Sequence, residues 1–345
     1  MEPITHNNHY IPQLYLRNFS FDGNHVWAYH LLVSHENVPE WEKRSISNTA
    51  FLRDLYTDVK DGKEVDDFEK WLMSEFEDPV QESLRKVLKD NPLSKNDWER
   101  LVRFLAAQDV RTPKHYSDSM ERWKKTVPDL LEKTLKKAIE KVENNELSGE
   151  IAENDEMYQE TFSEILRVKP IHSEDSENGK AYLLAELVAG RKFWFFQQKK
   201  VLSDTIKALI NHKWCVVKPA YGFQWFTSDH PVGKLNYYSN GTYDLRGGWG
   251  VKGTNIFLPL SPHHMLFTEV GKGLPDTLRF NTDHTRQFQR YIAEGAMRWI
   301  FTDRPLNIIK NYRQRHINEE AYLYEKNQRC NWHKDQKQAE NENKK

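Results

Sequence analysis

Apolar residues recur at helical spacing through the middle of the chain, from about residue 64 to about residue 212. Between residues 65 and 76 they stand three or four positions apart, which places them on one face of a helix. Ser94 and Asp97 form a capping pair that opens a further helix. The leucine-rich run at 183–188 predicts another one. The middle of the chain is therefore expected to be mostly helical.

A different pattern follows from about residue 214 to about residue 302, where short apolar, β-branched and aromatic runs alternate with turn residues. This pattern predicts strands, and a similar run at 26–29 predicts one near the N-terminus. Helices in succession between strand segments favour an α+β fold over a doubly wound α/β fold. We expect a mostly helical middle section packed on a mixed or antiparallel sheet that N-terminal and C-terminal strands build together.

The length of 345 residues allows one large domain or two ordinary ones. If strands from both ends share a sheet, the helical section is an insertion. This arrangement favours a single domain that spans residues 1–310. Residues 311–345 read as a polar extension, and the charged tail from Asp335 favours disorder. The acidic stretch 151–156 and the loop 170–179 are predicted surface connections.

Charge and cysteine content limit the classes of function. Lys and Arg (50) nearly cancel Asp and Glu (51), so binding to a polyanion would need a local basic patch. The two cysteines, Cys215 and Cys330, have no metal-ligand spacing, which favours a reducing compartment. No run approaches the ~18 apolar residues of a membrane span. We expect a cytoplasmic protein that does not enter a membrane.

One helix carries polar residues where its apolar stripe should continue. Leu101, Leu105, Gln108 and Arg111 follow steps of three or four and so share a face. A guanidinium on that face needs a partner, because an unpaired buried charge is costly. Two interpretations remain open: an internal arginine–carboxylate pair that ties the helix end to the sheet, or a fork that grips a ligand's phosphate or carboxylate.

A second polar group follows an apolar and aromatic strand, at Thr227-Ser228-Asp229-His230-Pro231. Asp229 has the chemistry to ligate a metal or act as a base. Ser228 would be a nucleophile only with a base nearby. The alternative is a turn before the proline in which Asp229 caps its own backbone.

A third group lies near the N-terminus, where His6 and His9 flank two asparagines. Histidines so placed can ligate a transition metal or supply a general base. No cysteine or second metal-binding motif accompanies them. A hydrogen-bonded extended arm is the competing interpretation.

These pieces, taken in order, resemble the domain-of-unknown-function 4238 (DUF4238) family. The segments that carry the resemblance are His9-Tyr10-Ile11-Pro12 with Tyr15-Leu16-Arg17-Asn18-Phe19, then Gln108-x-x-Arg111-Thr112-Pro113, Thr227-Ser228-Asp229-His230-Pro231-Val232 and Pro259-Leu260-Ser261-Pro262. His230 stands where the family more usually has Asn. The family occurs largely in bacteria and fungi, and its name records an unknown function.

The resemblance implies one site rather than several, because its polar residues are too far apart in sequence to form a local structural motif. We expect the fold to bring them into one cleft. These polar residues are His9, Arg17, Gln108, Arg111, Ser228 and Asp229.

The leading hypothesis is a hydrolase acting on a phosphate-containing substrate, with a nuclease as its most specific form. Asp229, with His9, would hold a divalent metal (Mg²⁺ or Mn²⁺) or activate water. Arg111 would stabilise the phosphoryl charge. The substrate-binding residues in this interpretation are Arg17, Gln108 and Ser228. Nucleic acid is then the partner, and a role as a bacterial defence or toxin effector is compatible with this hypothesis, although no residue indicates it.

The alternative is a non-enzymatic binding or sensor module that recognises a nucleotide, a peptide or a partner protein. No complete catalytic motif is present, and 11 Trp within an aromatic content of 12 % suit a binding surface. A third interpretation makes the motif residues a buried polar network with a structural role only.

Overall fold

The computed structural model describes residues 4–60, 62–144, 165–172 and 181–342. The chain forms two compact units. Unit 1 comprises Met1–Lys114 and Val201–Asp335, and unit 2 comprises His115–Lys200 and Gln336–Lys345. We expected one domain over residues 1–310, and that stays a prediction; residues 115–200 belong to unit 2. The predicted connection at 151–156 lies outside the described residues.

The helices of the described residues are α1 (Gln13–Leu16), α2 (Asp67–Leu72), α3 (Asp78–Leu88), α4 (Lys95–Val110), α5 (Pro113–Glu143), α6 (Arg191–Lys200), α7 (Ile206–Ile210), α8 (Thr282–Gly295), α9 (Ile308–Tyr312) and α10 (Glu319–Glu342). Short 3-10 turns lie at Arg17–Phe19 and Ile46–Asn48, and π-helical turns lie at Met73–Glu77 and Val201–Thr205.

The strands of the described residues are β1 (Asn7–His9), β2 (His25–His30), β3 (Leu32–Val33), β4 (Trp41–Ser45), β5 (Phe51–Arg53), β6 (Asp58–Lys60), β7 (Lys63–Val65), β8 (Leu166–His172), β9 (Ala181–Leu187), β10 (Cys215–Lys218), β11 (Thr227–Ser228), β12 (Gly233–Tyr237), β13 (Tyr243–Asp244), β14 (Asn255–Ser261), β15 (His264–Glu269), β16 (Thr277–Arg279), β17 (Trp299–Thr302) and β18 (His316–Ile317).

Two sheets of unit 1 confirm the mixed α+β class. The four-stranded sheet has the order β11-β17-β2-β4 and is antiparallel, so strands from both ends of the chain share it as predicted. The six-stranded sheet has the order β13-β12-β14-β15-β10-β16 and is mixed, because only its edge pair β10–β16 is parallel. The core joins both sheets to α8, through buried Tyr29, Trp225, Phe257, Phe288 and Ile300.

The capping signal at the start of α4 is confirmed. The Ser94 side chain accepts the N–H of Asp97, and the Asp97 carboxylate accepts the N–H of Ser94. Each bond satisfies a donor that has no partner inside the helix. The sequence therefore fixes where α4 begins, and hence where Gln108 and Arg111 fall on its last turn.

The predicted helix at 183–188 is wrong, because that run lies in β9 and pairs antiparallel with β8. A short apolar run fits a strand as well as a helix, and its pairing partner decides between them. The predicted loop at 170–179 begins inside β8, and the rest of it lies outside the described residues.

The predicted disorder from Asp335 is also wrong for the described residues, since α10 continues to Glu342. Tertiary contacts within unit 1 hold the part of this polar helix that precedes Gln336. Trp332 donates its indole N–H to the Asp54 carbonyl at 3.3 Å, and His333 contacts the Glu64 carboxylate at 3.0 Å. No helix among the described residues has the length and apolar character that a bilayer span requires.

Candidate functional site

A cavity of about 700 Å³ lies in unit 1 between α10 and the strands β4, β5 and β17. We call it the basic cavity, because its lining is rich in cationic side chains and, among the described residues, includes one carboxylate, Asp54. The cationic residues are Arg44, Arg53, Arg298, Lys326, Arg329 and Lys334, with His333 beside them. The chain as a whole is nearly neutral, so this is the local patch that anion binding would require.

Tyr10 forms the floor of the basic cavity and is 4 % exposed. Among the described residues its hydroxyl has no hydrogen-bond partner. Burial raises the pKa of Tyr10 to about 12; the charge of Asp229 adds to this shift, and those of Arg329, Arg298 and Arg44 act against it. The Tyr10 hydroxyl is therefore a neutral O–H donor in a cavity that three guanidinium groups line.

Arg44 is held on the wall by contacts that leave it only partly neutralised. Its Nη1 lies 3.1 Å from a Glu42 carboxylate oxygen that is itself half exposed, and its Nη2 donates to the Asn48 carbonyl at 3.3 Å. The guanidinium carbon lies 4.8 Å from the centroid of the Trp299 ring, a cation–π contact. These contacts fix the orientation of the side chain towards the cavity.

Arg298 and Arg329 form a pair of like charges. Arg298 is ion-paired with Glu325, whereas Arg329 donates to the Phe51 carbonyl at 3.2 Å and has no carboxylate partner among the described residues. Burial, and then the charge of Arg329, lower the pKa of Arg298. The charge of Asp229 acts against this shift, and Glu325 pairs with Arg298 alone, so Arg329 is the guanidinium of the pair that lacks a carboxylate among the described residues.

The α10 helix adds a basic stripe to the same cavity. Lys326, Arg329 and His333 follow steps of three and four and so lie on one face, and Lys334 lies next to His333 at the edge of that face. Lys326 and Lys334 are exposed, and neither has an ion-pair partner in the part of the chain that the structure describes. The rim of the cavity is therefore more cationic than its own acidic residues can balance.

Arg111, one of the predicted catalytic residues, lies behind the basic cavity in a second cluster. Its Nη1 contacts the Glu77 carboxylate at 2.5 Å, its Nη2 donates to the His9 carbonyl at 2.7 Å, and its Nε donates to the Tyr56 hydroxyl at 3.4 Å. The side chain is 1 % exposed. We call Arg111, Glu77, Tyr56, His9 and the nearby Glu69 the Arg111 cluster.

Glu69 is the unsatisfied member of the Arg111 cluster. Its Oε2 atom is buried and has no hydrogen-bond partner among the described residues. Burial raises the pKa of Glu69 to about 7, with Arg111 acting against the shift and Glu77 adding to it. This carboxyl group changes its charge near neutral pH, although nothing in the sequence pattern marks it.

His9 and His6 fit the interpretation of a hydrogen-bonded arm. The His9 Nε2 lies 3.2 Å from the Ser47 carbonyl, and burial lowers the pKa of His9. The His6 Nδ1 lies 2.6 Å from the Asp54 carboxylate. Both imidazoles bind protein groups. The more informative contact is that of the His9 carbonyl with Arg111, because it fixes the backbone next to Tyr10.

Asp229 caps backbone groups, but those of a distant segment rather than its own. Its two carboxylate oxygens accept the N–H groups of Met297 and Arg298, each at 2.8 Å, and its own N–H donates to the Trp299 carbonyl at 3.1 Å. It is 4 % exposed, and burial raises its pKa. Asp229 therefore fixes the segment that carries Arg298 into the basic cavity.

The three predicted substrate-binding residues do not meet. The Ser228 hydroxyl donates to the His230 carbonyl at 2.9 Å within its own turn. Gln108 is buried, and neither atom of its amide has a partner among the described residues. Arg17 is exposed. Of the six polar motif residues, His9 and Arg111 are in contact, and none of the six lines the basic cavity.

The metal prediction has no assembled site to support it in the part of the chain described here, where no three His, Cys, Asp or Glu side chains form a group that could hold an ion. The expectation of Mg²⁺ or Mn²⁺ stays a prediction. The residues that sequence reasoning missed are Tyr10 and the cavity arginines. The basic stripe from Lys326 to Lys334 was visible as helical spacing in the sequence.

Fold and site together define a mixed α+β protein with a basic cavity, whose walls are held in place by buried polar motif residues. The chain belongs to the family described as protein of unknown function (DUF4238), whose sequence model matches residues 7–305 and so confirms the resemblance. No curated protein and no solved structure matches the chain. The α10 helix lies beyond the matched residues.

Proposed function

We propose that this protein is a recognition or sensor module that binds a small phosphate-containing ligand, such as a nucleotide, in the basic cavity. The observation that carries the proposal is that Arg44, Arg298 and Arg329 line one cavity together with the buried Tyr10. Guanidinium groups bind phosphate oxygens through paired N–H donors, and a phenol adds one further donor. A phosphate at this point would relieve the repulsion between the arginines.

Binding is better supported than hydrolysis, because the groups predicted to react are engaged elsewhere. The Asp229 oxygens accept two backbone N–H groups, and the Ser228 hydroxyl closes its own turn. Within the cavity, Asp54 contacts His6 and His333 contacts Glu64. Hydrolysis of a bound phosphate ester, including nuclease activity, stays a prediction that a separate assay of phosphate release and nucleic-acid cleavage tests.

The test is calorimetric titration of the full chain with AMP, comparing wild type, Arg329→Gln and Lys89→Gln. Lys89 is exposed and lies outside the basic cavity, so its variant controls for the loss of one positive charge. A charge-assisted hydrogen bond contributes about 1.5–3 kcal/mol, so Arg329→Gln should weaken AMP binding by roughly tenfold or more. Lys89→Gln should leave the affinity unchanged.

Cys330 provides an independent measurement of occupancy, because it is an exposed thiol on the cavity wall whereas Cys215 is buried. AMP should slow the reaction of Cys330 with a thiol reagent. Absence of AMP binding in the wild type, or equal losses in both variants, would contradict the proposal. Release of phosphate, or cleavage of RNA or DNA with Mg²⁺ or Mn²⁺, would restore the hydrolase hypothesis.

A further inference from the structure

We infer that the ligand of the basic cavity carries at least two phosphate groups in series, as a nucleoside diphosphate or triphosphate does. The inference rests on the proposed function and specifies its ligand class. One phosphate would lie against Tyr10 and the three arginines. The next would lie at the rim, between Lys326 and Lys334 of α10.

The positive charge of the cavity lies at two depths. The inner set consists of Arg44, Arg298 and Arg329, which are all partly buried and line the cavity together with Tyr10, itself 4 % exposed. The outer set consists of Lys326 and Lys334, both exposed. A terminal phosphate has three free oxygens. Three guanidiniums and one phenol are enough to bind all three, so the lysines need a further anionic group.

The spacing along α10 supports this division. Lys326 and Lys334 are eight residues apart, which corresponds to about 12 Å along a helix, and Arg329 lies between them. A donor must approach within about 3 Å of an oxygen to bond it. A single phosphate on the floor does not engage both lysines together with the arginines, whereas a phosphate chain that leads outward does.

The balance of cationic and anionic side chains in the cavity also indicates a ligand with two phosphates. Arg44 and Arg298 each have a carboxylate partner, Glu42 and Glu325, and Asp54 lies 3.4 Å from Arg53. Among the described residues that line the cavity, the cationic side chains without a carboxylate partner are Arg329, Lys326 and Lys334. A terminal diphosphate carries between about two and three negative charges near pH 7, which matches those three cations.

The cavity has the size and lining for the remainder of a nucleotide. Its volume of about 700 Å³ lies within the range of about 300–1,000 Å³ that is typical of small-molecule sites. Apolar surface from Phe51, Leu52 and Phe301 lines it beside the charged groups. A buried floor at the end of a cavity suits a small ligand better than a nucleic-acid strand, whose backbone follows an open groove.

The experiment is calorimetric titration with AMP, ADP, inorganic phosphate and pyrophosphate, at low salt. It compares wild type, the double variant Lys326→Gln/Lys334→Gln and a control, Lys89→Gln/Lys207→Gln, which removes two exposed lysines outside the cavity. Wild type and control should bind ADP at least tenfold more tightly than AMP, and pyrophosphate more tightly than phosphate. The double variant should lose this preference while its affinity for AMP changes less than threefold.

The outcomes distinguish failure of the two-phosphate ligand class from failure of the phosphate site itself. Equal affinities for AMP and ADP in wild type would overturn the inference and leave the phosphate site intact. A double variant that loses AMP and ADP equally would also overturn it. Failure of all four probes, with a short RNA binding instead, would overturn both. Melting curves and the Cys330 reaction rate without ligand show whether the variants keep the fold and the cavity.

Discussion

Arginine serves two opposite purposes in unit 1. Arg111 is buried, and its partners are all supplied by the protein: a carboxylate, a carbonyl and a phenol. Arg329 lines the basic cavity beside Arg298, and among the described residues its partner is one carbonyl, that of Phe51. An arginine whose partners are all protein groups indicates a structural role. An arginine that lacks a carboxylate partner in a cavity indicates a site for an anionic ligand.

The two regions are connected through the backbone. Arg111 holds the carbonyl of His9, which precedes Tyr10 on the cavity floor. Asp229 holds the N–H of Arg298 on the cavity wall. Arg111 and Asp229 therefore each fix a backbone segment that carries a residue of the basic cavity, and neither lines the cavity itself. Substitution of Arg111 or Asp229 should therefore lower the stability of the fold, whereas substitution of a cavity arginine should weaken ligand binding.

The largest expected effect comes from Arg111→Met. The variant leaves the Glu77 carboxylate, which is 16 % exposed, and the partly buried His9 carbonyl without their partner. Removing one member of a buried ion pair costs about 3–5 kcal/mol. Urea denaturation at pH 7 should show a loss of that size, whereas Arg329→Met should change the free energy of unfolding by less than about 1 kcal/mol.

Equal losses in the two methionine variants would remove the distinction between the regions. A stable Arg111→Met protein that fails to bind AMP would be more informative still, because it would make Arg111 a ligand-binding residue and revive its predicted role as a phosphoryl-charge stabiliser.

The next effect in size is a pH dependence that originates in Glu69. Its pKa is about 7 in the folded protein and 4.5 ordinarily, so the folded state binds the proton more tightly than the unfolded state does between those values. The free energy of unfolding should therefore fall as the pH rises from about 4.5 to 7, by no more than about 3 kcal/mol. Denaturation curves across this range measure the slope.

Glu69→Gln is the matched variant for that measurement, since glutamine keeps the shape of the side chain and cannot titrate. It should flatten the pH dependence and raise stability at pH 8, where the wild type holds a buried charge. An unchanged slope in Glu69→Gln would assign the effect to another group and show that the Arg111 cluster already satisfies this carboxylate.

The sequence was sufficient for the parts of the fold that local chemistry decides. The capping pair Ser94–Asp97 placed the start of α4, and strand patterns at both ends of the chain predicted a shared sheet. It failed where a tertiary partner decides. The β8–β9 hairpin depends on pairing. The α10 helix has a polar sequence and is held by contacts such as that of Trp332 with the Asp54 carbonyl.

For the site, the sequence indicated residues that are chemically out of place but not what they do. Buried polar residues such as Arg111 and Asp229 are conspicuous in an apolar pattern. The pattern is the same whether such a residue has a structural role or a catalytic one. The cavity arginines Arg44, Arg298 and Arg329 come from three distant segments, and no spacing connects them. Exposed arginines are ordinary in a sequence, and only the fold shows that these three converge.

The mildest effect should come from Asp229→Asn, which tests whether Asp229 positions Arg298 for ligand binding. Asparagine keeps one acceptor and loses the other, which leaves the N–H of Met297 or Arg298 unpaired at a cost of about 1–3 kcal/mol. Burial disfavours the charge of Asp229, as its raised pKa shows, so removing that charge offsets part of the loss.

We therefore expect Asp229→Asn to lower the free energy of unfolding by about 1 kcal/mol, and to weaken AMP binding a few-fold through displacement of Arg298. Ser228→Ala is the control, since it removes a bond within the same turn without touching the Arg298 backbone. If Asp229→Asn abolished a Mg²⁺-dependent cleavage while stability and AMP affinity stayed unchanged, Asp229 would belong to a reaction centre. Asp229 could then no longer be regarded as a residue that only positions the cavity wall.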